Sequence, residues 1–120
     1  MLYTDWGPPN LGGWLEAVAI LATGLLAFMV RRDRAGLRFV GLALALLLAA
    51  FPDFFFVCVV PAKAYFAAAD VSALDSTWIE ARDAWETGHA LRFVLQLAAV
   101  LALLFGFSVR ESAIALRALR

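Results

Sequence analysis

Three apolar stretches, at about 11–30, 41–60 and 89–109, are the strongest constraint on this chain, because about 20 consecutive apolar residues are what a helix needs to cross a hydrocarbon core. Only Glu16 interrupts the first and only Asp53 the second, while Arg92 and Gln96 interrupt the third. Composition agrees: 64% of the 120 residues are hydrophobic and 17% are charged, against roughly half and a quarter in soluble domains. The expected fold is therefore all-α, an integral membrane helical bundle of three transmembrane helices forming a single domain over 1–120. An external segment, 61–88, carries a helical extension before the third span, and a cytoplasmic tail covers 110–120.

Charge sets the expected orientation. Seven of the ten basic residues lie in 31–38 and 110–120, so both segments belong in the cytoplasm, while the acidic segment 61–88 and the N-terminus face outside. The location implied is a membrane, in a bacterium the inner one, with the lipid bilayer as first partner. No basic residue precedes the first apolar stretch, which argues against a cleaved signal peptide and for a retained first helix. Net charge is zero, and no basic face remains for nucleic acid once the topological arginines are assigned. Cys58, the only cysteine, is read as packing.

Within this frame, Trp78, Arg82, Trp85, His89, Arg92 and Gln96 recur at spacings of four and three, which places all six on one face of a continuous helix. Ionisable side chains entering a bilayer on one face must look at protein, water or a ligand, because lipid penalises them. Thr77 and Glu80 fit a capping box, so that helix is expected to start near Trp78 and to run to Ser108, about 45 Å, with its first turns outside the membrane or bent near Gly88.

Depth counting brings other residues to the same levels. Asp53 and Gln96 each lie seven residues inward from their span ends, Glu16 falls near the level of Arg92, and Lys63 and His89 sit above them at the rim. Pro52 should kink the second helix beside Asp53 and open a pocket walled by Phe51, Phe54, Phe55, Phe56 and Trp85.

Each residue also has a plainer reading. Trp78 and Trp85 suit an interfacial belt, Arg82 and Glu86 a solvated pair, His89 a satisfied interfacial histidine, and Glu16 the interface rather than the interior. Asp53 with Arg92 suits an ion pair that locks helices together. In the functional reading, Asp53, His89 and Arg92 form one catalytic cluster, with Trp78, Arg82, Trp85, Gln96 and Lys63 touching a substrate or partner.

The run from Trp78 through Arg82, Trp85, Glu86, Gly88, His89 and Arg92, preceded by Val60-Pro61-Ala62-Lys63 at the end of a span, resembles the anthrone-oxygenase-like family of small membrane proteins. The likeness covers about 11–107. That family commonly has four spans, the first of which has no counterpart here, and places an asparagine where this chain has Lys63. The resemblance implies cofactor-independent oxygenation of an anthrone or a related aromatic small molecule, although most bacterial members are a domain of unknown function. His89 would then remove a proton from a phenolic anthrone, Arg92 would stabilise the resulting enolate and Asp53 would orient or charge-balance the pair, with no cofactor or metal. The alternative is a non-catalytic accessory or structural subunit, docked by its helices onto other membrane chains or onto a second copy. Haem binding through His89 is disfavoured, because a chain with one histidine supplies one axial ligand.

Overall fold

A computed structural model describes residues 11–52, 56, 60–68 and 76–119. They form four helices, α1 (Leu11–Met29), α2 (Arg34–Pro52), α3 (Val60–Ala68) and α4 (Thr77–Ala118), and among the described residues there is no strand. The all-helical expectation holds.

The connection between α1 and α2 is tighter than the arginine-rich run 31–38 suggested. Val30 N–H still donates to the Leu26 carbonyl at 3.0 Å, and Asp33 N–H closes the turn on the Val30 carbonyl at 2.8 Å. The Asp33 side chain then accepts from Ala35 N–H at 3.1 Å, and its carbonyl accepts from Leu37 N–H at 2.8 Å. Asp33 is thus the N-cap of α2, satisfying a backbone donor that would otherwise be orphaned and placing negative charge at the positive end of the helix dipole. The second helix consequently begins at Arg34 instead of 41, and Arg34 and Arg38 become helical. Its described part runs to Pro52. The kink expected at Pro52 and the carboxylate of Asp53 fall where the described residues stop, and Asp53, Phe54, Phe55 and Cys58 lie outside them.

α2 runs antiparallel to α1 and α4 and packs on both. Ala43 and Leu47 of α2 meet Ala99 and Ala102 of α4, with Ile20 of α1 against the same cluster. The buried hydrophobic set is small-residue-rich, and among the described residues no large side chain is fully buried. Small residues let helix backbones approach closely when little bulk separates them. One such approach is at Gly106, where an added Cβ would stand 2.8 Å from the Cβ of Phe39. Neither atom can swing away, so Gly106→Ala should push α4 off α2 and cost about 1–3 kcal/mol. A thermal midpoint in detergent unchanged by this substitution would refute the α2–α4 packing.

The outside of the bundle is apolar. Trp14, Leu21, Met29, Phe93 and Phe105 are each more than 60% exposed, along with many other large hydrophobic side chains. Among the described residues two helices are long and apolar enough to cross a membrane, the stretch Arg34–Phe51 and the 42-residue α4, whereas α1 contributes a shorter apolar run, Gly13–Met29.

α4 is a single unbroken helix of 42 residues, about 63 Å at 1.5 Å per residue. It starts one residue before the expected Trp78, runs through Gly88 without a break, and continues ten residues past Ser108 to Ala118. Gly88 is buried, and the segment after 109 is a helical continuation of the third apolar stretch. Its start, however, is not a capping box. Ser76 occupies the N-cap with helical backbone angles and no side-chain cap bond, while the Thr77 hydroxyl lies 3.0 Å from the Tyr65 hydroxyl of α3. Thr77 thereby links α4 to α3.

Candidate functional site

Helical periodicity puts the six-residue stripe of α4 on one face, and the surroundings divide it into a rim and a deeper clamp. At the rim, Arg82 is exposed and pairs with Glu86 at 3.3 Å and Asp83 at 3.6 Å. Both partners are more than half exposed, so this is the solvated pair expected from the i,i+4 spacing and contributes little to stability. Trp78 and Trp85 are half-buried.

His89 is exposed and is held by the turn before it. Its Nδ1 lies 2.9 Å from the Trp85 carbonyl oxygen, and its ring sits 4.4 Å from the Trp85 ring at an interplanar angle of 42°. A carbonyl oxygen only accepts, so Nδ1 carries the hydrogen in this geometry and Nε2 is the basic nitrogen of the neutral ring. The four-residue spacing that sequence periodicity picked out is what brings this carbonyl and this ring together.

One turn deeper the arrangement changes character. Glu16, on α1, is 5% exposed, and both of its oxygens are engaged by α4. Arg92 Nη2 donates to Oε2 at 2.6 Å, and Gln96 Nε2 donates to Oε1 at 3.2 Å. The shorter contact has the length of a strong charge-assisted bond. Gln96 follows Arg92 by one turn, so a single carboxylate reaches both. Of the two readings of Glu16, interfacial or buried, the bundle shows the buried one. A carboxylate buried at this level is tolerated because two donors from a neighbouring helix satisfy it, and an unsatisfied one would cost several kcal/mol.

The three residues expected to form a catalytic cluster are thus distributed as follows. Arg92 is tied to Glu16, His89 is anchored to Trp85 at the rim, and Asp53 lies outside the described residues. Lys63 belongs to α3, and its side chain is likewise outside them. Of the aromatic residues expected to wall a pocket, Phe51 is half-buried at the end of α2 and Phe56 is exposed. The Tyr65–Thr77 contact had no signal in the sequence, since it depends on how α3 sits against α4. The Glu16 partnership had one, the shared depth of Glu16 and Arg92.

Chemically, the rim offers an imidazole base beside an indole face, a combination able to take a proton from an acidic aromatic guest. The clamp offers a guanidinium whose charge is already shared with a carboxylate, which weakens it as a stabiliser of a developing oxyanion. Among the described residues no group of three or more His, Cys, Asp or Glu side chains is placed to hold a metal. No protein-family model, curated protein or solved structure matches the chain.

Proposed function

We propose that this chain is an integral membrane protein of three spans, α1, α2 and the apolar part of α4, with a small-molecule site at the outer rim resembling that of the anthrone-oxygenase-like family. The observation that carries the membrane reading is the inverted surface: large apolar side chains cover the outside of the bundle while the polar Glu16, Arg92 and Gln96 meet between helices. In water such an apolar surface would aggregate, whereas in lipid it is the solvated face. The topology that follows puts the N-terminus and the α3–α4 connection outside a bacterial inner membrane, and the arginine-rich turn and the C-terminus inside. Single cysteines at Ala35 and Ala118 should resist a membrane-impermeant maleimide in intact cells. Labelling of either one from outside would overturn the orientation.

At the rim, His89 Nε2 would remove a ring-methylene C–H proton from a phenolic anthrone lying against Trp85. The carbanion would give its electrons to dioxygen and form a C–O bond; the peroxide would take a proton back from His89 and lose water as the second methylene proton leaves, so that anthrone and dioxygen become anthraquinone and water without a metal. The test is oxygen consumption by the purified protein with an anthrone, expected above the rate without protein and lost when the substrate's acidic position is blocked. A second reading, a non-catalytic subunit of a larger membrane complex, is favoured by one observation, the neutralisation of Arg92 by Glu16, which suits a clamp better than an oxyanion site. A pull-down in mild detergent separates the two: a stoichiometric large partner supports the subunit, and turnover by the isolated chain supports the enzyme.

A further inference from the structure

Past the turn that joins α1 to α2, α4 continues alone. Gly106 still meets Phe39 of α2, and Arg110 still borders the same hollow as Gly36 near the start of that helix. Every residue from 107 to 119 is exposed.

This free stretch of helix is two-sided. Val109, Ser112, Leu116 and Leu119 follow one another at three, four and three residues and share a stripe about 80° wide. Leu116 is 65% and Leu119 85% exposed. Ser112 leaves the stripe without a polar demand, because its hydroxyl donates to the Ser108 carbonyl of its own helix at 2.9 Å. Ala113 and Ala115 flank the stripe, whereas Arg110, Glu111 and Arg117 all lie about 120° or more from its middle.

Toward the bundle the same stripe continues through Phe105 and Leu101, which lipid covers in the membrane reading. Beyond 109 that cover ends. An apolar stripe on a helix standing in water is driven to associate, and a second helix with the same pattern buries it along its whole length. Lying on the membrane surface instead would require α4 to turn sharply, and the helix holds no proline or glycine after Gly106. Copies inserted in one orientation are related by an axis along the membrane normal, which sets each residue of the stripe against its own counterpart. The composition suits that symmetry. Valine and leucine meet themselves, the flanking alanines let the backbones approach, and the charges of the two copies stay apart.

We propose that α4 pairs in parallel with α4 of a second copy along Val109, Ser112, Leu116 and Leu119, so that the protein is a dimer joined beyond the arginine-rich turn. The parallel pairing rests on the membrane reading given above.

The experiment is disulfide cross-linking of the full chain in membranes, with Cys58→Ser removing the native thiol. Ser112→Cys, on the stripe, should give a dimer band under mild oxidation, and Ala118→Cys, on the far side of the helix, should not. Native mass spectrometry in mild detergent should find the parent as a dimer. Leu116→Glu sets two carboxylates against each other across the axis and should leave only monomer, while Arg117→Gln, off the stripe, should remain dimeric. Equal cross-linking at 112 and 118, a monomeric parent, a dimer that survives Leu116→Glu, or a different chain found on the stripe would each overturn the proposal. Failure of the membrane reading shows separately, as release of the chain from membranes by alkaline washing.

Discussion

Removing either half of the Glu16–Arg92 pair should cost about 3–5 kcal/mol, the largest stability effect expected of any single substitution in this chain. The reason is the asymmetry between a pair and its fragments. Glu16→Ala leaves the Arg92 guanidinium, 19% exposed at its side chain, without its buried carboxylate, and Arg92→Leu leaves a carboxylate 2% exposed with only the longer Gln96 contact. Replacing both, Glu16→Leu with Arg92→Leu, removes the uncompensated charge altogether. The double variant should therefore recover most of the loss, because an ion pair taken from water into a low-dielectric interior gains little over two well-packed apolar side chains. Unfolding in a detergent titration, run as a double-mutant cycle, measures the coupling. Two single losses that simply add in the double variant would show that Glu16 and Arg92 do not meet. Gln96→Leu should cost less than either, since it removes one neutral donor and leaves the charge pair in place.

How far this was legible from the sequence depends on which physical signal each feature left. The three long helices were legible, and the short α3 was not, because apolar runs of membrane length and a stripe spaced by fours and threes are periodic signals that survive without knowledge of tertiary contacts. The start of α4 was legible to one residue, although for a different reason than the one inferred: Thr77 and Glu80 have capping-box spacing, yet Thr77 serves Tyr65. Local spacing says which side chains are able to cap, and a competing partner from another helix decides whether they do. The early start of α2 was legible in principle, since Asp33 after the arginines is an N-cap residue type, but the four arginines of 31–38 read as a loop. Long basic side chains are compatible with a first helical turn at a membrane surface, where their stems lie along apolar neighbours and their heads reach water. Arg31 illustrates this, its guanidinium lying 3.8 Å over the Phe28 ring.

The site was half legible, and the misjudged half concerns burial. Counting residues inward placed Glu16 level with Arg92 correctly, but one carboxylate near a span end is ordinarily interfacial, and only the position of α1 relative to α4 makes it interior. Depth is a one-dimensional quantity that sequence supplies. Azimuth, which decides whether two groups at one depth face each other, comes from helix packing, here from the small residues Ala43, Ala99 and Ala102 that bring the helices together.

The same division between rim and clamp governs the largest expected effect on activity. His89→Gln should leave folding nearly intact, because the ring is exposed and its Nδ1 bond is made to a carbonyl of its own helix. Glutamine retains a side-chain N–H donor and carries no basic nitrogen. If the chain oxygenates a phenolic polycyclic substrate, loss of the base should lower turnover by about 10²–10⁴-fold, the usual worth of a positioned general base. Trp85→Ala should act differently. It keeps the backbone carbonyl that orients His89 and removes the indole 4.4 Å from it, so substrate binding should weaken more than the chemical step slows. The pairing of these two variants is what makes the test specific. A His89→Gln protein that folds, inserts and retains full oxygen-dependent turnover excludes His89 as the base. An active parent with both variants unaffected would move the site away from the rim altogether, and an inactive parent that co-purifies with a large partner would leave Glu16, Arg92 and Gln96 as the fastening of a subunit.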